Sequence, residues 1–359
     1  MDHDRRRMLR LAGAALAAPF LPACGPDREP AAGEPRSPFG PDATAERVTE
    51  GIDLRGRVAV VTGCTTGLGF ETMRVLALRG AYVVGTSRSL VRAEDACRQV
   101  PGVTSALELE LADPESVVAC AEGIRALRVP IDMLVLNAGY RGGDGSRELV
   151  GGVEKHFAVN HLGHFLLVNR VIDRMYYANQ GRVVVVASRA AYRDAPENGI
   201  LFDDLAMTRA YDDATAYGHS KLANALFALG LARRLKGTRI TANALHPGVI
   251  DTDIDRHLGR ATQVLFGLYA SVAGKTVAEG AATGCFVATS PLLGATSGAW
   301  FEDCNAVTIA GSHLHDTAMA DRLWEVSESS MQDYMVTHVT PDAAELWPGS
   351  IGRDRPRAD

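Results

Sequence analysis

Short apolar runs alternate along the chain with longer amphipathic stretches, beginning near residue 48. The apolar runs lie at residues 57–61, 81–85, 105–109, 131–136, 182–187, 239–244 and 298–301. Continuous apolar runs of this length are typical of strands buried on both faces, and the stretches between them favour helices. The alternation predicts a single α/β domain over residues 48–339, with a doubly wound parallel sheet.

A glycine-rich turn follows the first of these runs. Its sequence is TGCTTGLG at residues 62–69, and a helix is predicted after it, up to Gly80. Ligands of such sheets bind outside the carboxyl ends of the strands, where glycines let the backbone approach a pyrophosphate at a helix N-terminus. The alternative is a plain strand–helix connection. The candidate cofactor contacts in the turn are Gly63, Thr65, Thr66, Gly67, Leu68 and Gly69.

Tyr217 and Lys221 supply candidate chemistry. Residues four apart lie on one face of a helix. A lysine ammonium beside a phenol favours the phenolate and lowers its pKa from about 10, which makes a general acid/base for a carbonyl oxygen. Both residue types are common on surfaces, so the spacing alone is weak. Together with the glycine turn it predicts an oxidoreductase.

The end of the second predicted strand bears on cofactor choice. A carboxylate there would bind the ribose of NAD, whereas an arginine accommodates the extra phosphate of NADP. Ser87 and Arg88 stand at this point with no carboxylate beside them. They predict NADP(H), the alternative being a solvent-facing arginine at a strand end.

Composition narrows the function classes. The formal net charge of −6 gives no electrostatic case for nucleic acid binding. The six cysteines show neither a CxxC pair nor metal-ligand spacing with histidine, so no metal site and no disulfide framework are predicted. Most cysteines are expected to be buried small apolar residues.

The N-terminus resembles an export signal. A basic stretch at residues 4–10 precedes an apolar run at residues 11–21 and then LPAC at residues 21–24. Arg5 and Arg6 resemble the pair of a bacterial twin-arginine signal, and Cys24 resembles a lipidated lipobox cysteine. The expected divisions are a signal at residues 1–24, a disordered tether at 25–47 and an irregular tail at 340–359. The expected location is the periplasm or a lipid anchor in the cell envelope. An ordinary signal-peptidase cut or a disordered basic tail are the alternatives.

Taken together, these motifs resemble the short-chain dehydrogenase/reductase family over roughly residues 51–334. The matching pieces are the TGCTTGLG turn, NAG at residues 137–139, Asn160, Ser188, YGHSK at 217–221, and HPG at 246–248 with Thr252. FAVNHLGHFLL at 157–167 and WFEDC at 300–304 resemble the retinol dehydrogenase and WW-domain oxidoreductase branch. The resemblance implies a Rossmann-type fold.

The resemblance also implies roles. Tyr217 would exchange the proton, Lys221 would hold the nicotinamide ribose and lower the pKa of Tyr217, and Ser188 would bind the substrate oxygen. Asn160 would anchor a water-linked proton relay to Lys221. Further cofactor contacts would come from Leu111, Asn137, Ala138, Gly139, Pro247, Gly248 and Thr252. Glu110 and Leu111 stand near where the family often has an aspartate, and Leu136 where it usually has an asparagine.

Two functions are carried forward. The first is an NADP(H)-dependent alcohol/carbonyl oxidoreductase, and the second is an exported nucleotide-binding sensor or scaffold without turnover. The retained Tyr217 and Lys221 favour the enzyme. The apolar segment at residues 264–269 suits a lid over a hydrophobic small-molecule substrate, a core helix, or a contact in a homo-oligomer.

Overall fold

The computed structural model of the 359-residue chain describes residues 28–142, 144–250 and 274–336. The predictions for the signal at residues 1–24, for Thr252, for the apolar segment at 264–269 and for the tail at 340–359 lie outside the described residues.

The centre of the described part is a nine-stranded, mainly parallel sheet. Its strands are β1 (Arg28–Pro30), β2 (Val58–Thr62), β3 (Tyr82–Ser87), β4 (Thr104–Glu108), β5 (Met133–Leu136), β8 (Gly181–Val186), β9 (Ile240–His246), β10 (Trp300–Glu302) and β11 (Asn305–Ile309). The spatial order is β1-β11-β10-β9-β8-β5-β2-β3-β4. The seven strands from β4 to β10 are parallel, and β11 and β1 extend the sheet antiparallel. A short hairpin of β6 (Leu149–Val150) and β7 (Val153–Glu154) stands apart.

Helices cover both faces of the sheet. They are α1 (Ala45–Val48), α2 (Gly67–Leu78), α3 (Leu90–Arg98), α4 (Pro114–Ala126), α5 (Lys155–Phe157), α6 (Gly163–Val171), α7 (Ala190–Arg193), α8 (Asp213–Arg234), α9 (Val277–Thr289) and α10 (Thr317–Met331). Helices α4, α6, α8 and α10 share one apolar cluster with the sheet. Helices α1, α2, α3 and α9 share the other.

The structure confirms the predicted fold class. Each of the seven predicted apolar runs contains or overlaps a parallel strand, and β2, β5, β8 and β9 are buried along their whole length. Burial on both faces explains why these strands lack polar alternation. The helix after the glycine turn begins at Gly67, three residues before its predicted start.

The predicted disordered tether at residues 25–47 is wrong for its described part. Arg28–Pro30 pairs antiparallel with β11, and the Arg28 guanidinium lies 2.9 Å from the buried carboxylate of Glu302. Phe39 contacts the ring of Phe286 edge-on, with ring centroids 5.9 Å apart. A polar segment cannot build a core of its own, but this one packs onto a core that the rest of the domain supplies. Within the described residues, no helix combines the length and apolarity needed to cross a membrane.

Candidate active site

The glycine turn leaves β2 at the carboxyl edge of the sheet and enters α2. Gly63 has φ 71° and Gly67 has φ 56°, which side chains other than glycine rarely adopt. A Cβ on Gly63 would lie 2.9 Å from the Cα of Ala138, and one on Gly69 would overlap the Gly63 carbonyl oxygen. The turn is therefore built for close backbone approach, and only glycine fits at Gly63 and Gly69.

Thr62 joins this turn to the NAG piece after β5. Its hydroxyl oxygen accepts from the backbone N–H groups of Asn137 and Ala138, both at 2.9 Å. The Asn137 side-chain amide donates to the carbonyl oxygens of Thr62 at 2.9 Å and Gly63 at 3.3 Å. These bonds explain why an N-A-G sequence follows β5: the asparagine fixes the cradle in which a nucleotide would sit.

A buried histidine connects the same threonine to Asn160. His164 Nδ1 lies 3.1 Å from the Asn160 carbonyl oxygen, which can only accept, so Nδ1 carries the proton. Its Nε2, 3.0 Å away, accepts from the Thr62 hydroxyl. Burial lowers the pKa of His164 to about 4, which keeps the ring neutral near pH 7. His164 was not among the predicted site residues, although it lies in the quoted FAVNHLGHFLL motif.

Asn160 lies in a π-helical segment, Ala158–Leu162, that leads into α6. Its side-chain oxygen accepts from the Tyr140 backbone N–H at 2.6 Å. Its amide donates to the Tyr140 carbonyl at 3.0 Å and to the Ser220 hydroxyl at 2.9 Å. The Ser220 hydroxyl in turn donates to the carbonyl of Tyr217 at 2.8 Å. The Asn160 side chain thus holds the loop after β5 and the helix that carries Tyr217, while its backbone carbonyl faces His164.

Tyr217 and Lys221 lie on α8 as predicted from their spacing. Lys221 Nζ is 5.6 Å from the centre of the Tyr217 ring and donates to the carbonyl of Val186 at 3.1 Å. Burial lowers the pKa of Lys221 to about 8. Tyr217 is 8% exposed and lines the cleft. Ser188 follows β8, is half-buried and accepts from the Ala190 backbone N–H at 3.3 Å.

The predicted 2′-phosphate position lies at the end of β3. The Arg88 side chain is 60% exposed, and its Nε lies 4.0 Å from a Glu110 carboxylate oxygen. The Ser87 hydroxyl is engaged with the backbone of Ser89, donating to its carbonyl at 2.9 Å and accepting from its N–H at 3.1 Å. Arg92, which was not predicted, lies in the first turn of α3 beside Arg88 in the cleft. This position therefore presents two guanidinium groups and one carboxylate.

One continuous cleft of about 1240 Å³ brings these positions together. From the predicted set, its lining contains Gly63, Thr65, Thr66, Gly67, Leu68, Gly69, Ser87, Arg88, Leu111, Asn137, Ala138, Gly139, Ser188, Tyr217, Lys221, Pro247 and Gly248. Asn160 lies behind the lining, fully buried. Thr252 lies outside the described residues.

Several charged side chains that line the cleft were missed by sequence reasoning. The lining includes Arg141, Lys155, Arg189 and Arg193 together with Glu148 and Asp194. In the sequence, two of them are marked only by their position beside predicted site residues. One residue separates Arg141 from NAG, and Arg189 directly follows Ser188. Arg189 and Arg28 share the buried Glu302 carboxylate, which also accepts from Tyr192 and Trp300.

The cleft fits a nicotinamide dinucleotide. At Gly63 and Gly69 a Cβ would collide with neighbouring atoms, and at Gly63 and Gly67 the backbone conformation disfavours any residue other than glycine. These three glycines therefore form a cradle at the N-terminus of the 12-residue helix α2. The buried Thr86 hydroxyl at the adjacent strand end has no hydrogen-bond partner among the described residues. Over residues 28–142, 144–250 and 274–336, no three His, Cys, Asp or Glu side chains are grouped to hold a metal ion.

Comparisons with known proteins show the family of the chain. A family description, "short chain dehydrogenase", matches residues 57–200. The chain is 38% identical over 304 residues to Short-chain dehydrogenase TIC 32 A, chloroplastic, of Brassica napus, covering 81% of this chain and 94% of that protein. It is 37% identical over 281 residues to human Retinol dehydrogenase 12, covering 77% and 86% of the two chains.

The chain belongs to the short-chain dehydrogenase/reductase family of oxidoreductases, whose members bind a nicotinamide cofactor. A solved structure of an uncharacterised protein from Mycobacterium paratuberculosis superposes with a TM-score of 0.63 at 30% identity. That superposition covers 79% of this chain and 97% of the other.

Proposed function

We propose that this protein is an NADP(H)-dependent oxidoreductase that interconverts an alcohol and a carbonyl compound, with Tyr217 as general acid/base. The observation that carries the proposal is a shared cleft. The lining of this cleft includes Tyr217, Lys221 and Ser188 as well as a glycine cradle suited to a pyrophosphate. A nicotinamide bound here would donate or accept the hydride.

The protein's own residues would manage the proton and the substrate oxygen. In carbonyl reduction the Tyr217 phenol gives its proton to the substrate oxygen, and in alcohol oxidation the phenolate takes it back. The Ser188 hydroxyl, at the end of β8 in the same cleft, donates to that oxygen and stabilises its developing charge. Lys221, whose Nζ lies 5.6 Å from the centroid of the Tyr217 ring, stabilises the phenolate and binds a ribose hydroxyl. Asn160 and Ser220 keep the helix turn bearing Tyr217 in place.

The preference for NADP(H) is proposed from Arg88 and Arg92. Two guanidinium groups beside the end of β3 can make charge-assisted bonds to a 2′-phosphate. Glu110, 4.0 Å from Arg88, opposes this preference only in part, since it faces one of the two arginines. Arg88→Ala is expected to weaken NADPH binding at least tenfold and to change NADH binding little.

A fluorescence titration with both nucleotides measures this preference. Arg98→Ala is the matched control, because Arg98 lies on the same helix as Arg92, is exposed and pairs with Asp95 outside the cleft. Equal weakening of NADPH and NADH in Arg88→Ala would refute the NADP(H) assignment while leaving the family membership intact.

We propose a hydrophobic alcohol or carbonyl as the substrate. One similar protein is named a retinol dehydrogenase, and the lining of the cleft includes Tyr140, Val150 and Val159. A panel of aldehydes and ketones of graded chain length, with NADPH consumption as the readout, tests this. Turnover that rises with chain length supports a hydrophobic substrate, and turnover restricted to short polar carbonyls contradicts it.

Export to the cell envelope, with Cys24 as a lipid anchor, is proposed from the sequence of residues 1–24 alone. Cell fractionation of the full-length chain beside Arg5→Lys/Arg6→Lys and Cys24→Ala variants tests it. Loss of export in the double lysine variant would support the twin-arginine route, and an unchanged distribution would contradict it.

A further inference from the structure

A second cation lies against the ring of the proposed proton donor. The guanidinium carbon of Arg141 is 5.0 Å from the centroid of the Tyr217 ring. This is closer than Lys221 Nζ, at 5.6 Å. Arg141 is half-buried and lines the same cleft. A guanidinium within about 6 Å of an aromatic ring is attracted to it, the more so where water is excluded.

The backbone on both sides of Arg141 is held by buried groups. The Tyr140 N–H donates to the Asn160 side chain at 2.6 Å, and the Gly142 N–H donates to His156 Nε2 at 2.9 Å. Both acceptors are at most 1% exposed. Arg141 is therefore placed at Tyr217 by a fixed backbone, and the same Asn160 side chain also holds the helix that carries Tyr217.

Among the described residues, the other charged or titratable groups close to Tyr217 include His156, Asp194 and Arg193. The His156 ring meets the Tyr217 ring edge-on at 6.1 Å. His156 Nε2 accepts from Gly142, so Nδ1 carries the proton and donates to Glu154 at 2.7 Å, and the ring is neutral. The backbone of Asp194 and Ala195, just past α7, packs against Gly218, the residue after Tyr217. Burial raises the pKa of Asp194, whereas the charges of Arg193 and Arg141 lower it, so Arg141 also interacts with this carboxylate.

We infer that Arg141 is a positioning residue for the proposed reaction, a permanent cation that stabilises the Tyr217 phenolate. The inference rests on the proposed function. Lys221 alone is an incomplete partner, because burial lowers its pKa to about 8 and it loses charge in the alkaline range. A guanidinium keeps its charge throughout. Arg141 thus maintains a positive charge at the phenol where Lys221 no longer does.

The expected shift in the pKa of Tyr217 follows from the distance between the Arg141 guanidinium and the Tyr217 ring. The guanidinium carbon is 5.0 Å from the centroid of the ring. A unit charge at about this distance shifts a pKa by about 0.6 unit at the dielectric constant of water and by about 2.4 units at that of a protein surface, so the order of magnitude is 1 unit. Removing the Arg141 charge is therefore expected to raise the pKa of Tyr217 by about 1 unit. In alcohol oxidation, which needs the phenolate, the acid limb of the rate profile would move up by the same amount.

The test is a pH titration of tyrosinate absorbance, which needs no substrate. The difference between a protein and its Tyr217→Phe counterpart isolates Tyr217 from the other tyrosines. The pairs are wild type, Arg141→Met and Arg141→Lys, each with and without Tyr217→Phe. Circular dichroism and NADPH binding check that each variant is folded. If Arg141→Met does not fold, Arg141→Gln replaces it.

A Tyr217 midpoint raised by about 1 unit in Arg141→Met and restored towards wild type in Arg141→Lys would support the inference. A midpoint that is the same in all three backgrounds, or one raised equally by Met and Lys, would overturn it. If the midpoint is raised in Arg141→Met but the wild-type protein reduces no carbonyl, the Arg141 role is supported and the proposed function is refuted. Turnover that depends on Tyr217, with a midpoint indifferent to Arg141, would do the reverse.

Discussion

Gly69→Ala is the substitution for which the structure makes the sharpest prediction. Gly69 is the third residue of α2 and is buried behind the glycine turn. A Cβ there would overlap the Gly63 carbonyl oxygen and lie 2.9 Å from its carbonyl carbon. It would also collide with the Asn137 side-chain amide. All three groups form the cradle, so none can yield without moving it.

The expected loss of stability in Gly69→Ala is the difference between two opposing effects, overpacking and the higher helix propensity of alanine. Carbon atoms pack at about 3.5–4.0 Å, so the backbone at Gly63 must move by at least about 0.6 Å. Such overpacking costs about 1–3 kcal/mol, whereas alanine in place of a helical glycine recovers up to about 1 kcal/mol. The net expectation is a loss of about 1–2 kcal/mol, or about 3–6 °C in melting temperature for a domain of this size. Nucleotide binding is expected to weaken at least tenfold, because the backbone N–H groups of the turn are displaced.

Thermal unfolding followed by circular dichroism, together with an NADPH titration, measures both effects. Gly284→Ala is the matched control, since Gly284 lies inside α9 and, among the described residues outside that helix, a Cβ there would meet only Leu245, at 3.9 Å. The control is expected to raise the melting temperature by about 2–4 °C and leave binding unchanged. If Gly69→Ala matched wild type in both measurements, the close approach at the turn would be refuted.

Two further predictions concern stability. Burial lowers the pKa of Lys221 from 10.5 to about 8, so the unfolded chain holds more protons between these pH values and stability should rise with pH across that window. Lys221→Met should therefore stabilise the protein at pH 7 by ~2 kcal/mol, after allowing for its lost bond to Val186, and the gain should vanish above about pH 10 in urea unfolding series. A gain independent of pH would contradict this origin. A chain that begins at residue 42 should melt lower than one that begins at residue 28, because it loses the Arg28–Glu302 pair and the Phe39–Phe286 contact; equal melting temperatures would restore the tether interpretation.

The features of the fold and site that the sequence predicts are those in which the local residue pattern matches the packing of the same segment. The β-branched runs specify strands buried on both faces, and the order of strand, glycine turn and helix places the cradle at the carboxyl edge of the sheet. The helical spacing of Tyr217 and Lys221, taken together with the glycine turn, predicts that they share one helix face. Each of these depends on residues near one another along the chain.

The parts that were missed depend on contacts distant in sequence. The pairing of Arg28–Pro30 with β11 joins residues about 280 positions apart in sequence, and the local composition does not predict it. Arg141 acquires its role from Asn160 and His156, which fix its neighbours, and from Tyr217, 76 residues further on. His164 lies within a motif, but its role depends on its hydrogen bond with Thr62, a residue distant in sequence.

The central claim, that Tyr217 moves the proton in a nicotinamide-dependent reaction, is tested most directly by comparing Tyr217→Phe with wild type. NADPH consumption is followed with the best carbonyl substrate of the panel, and NADPH affinity is measured on the same samples. Tyr82→Phe serves as the control, since the Tyr82 hydroxyl bonds to Ser105 away from the cleft. The account predicts that Tyr217→Phe loses at least a hundredfold in kcat with NADPH affinity within about twofold of wild type. Near-normal turnover in Tyr217→Phe would contradict it.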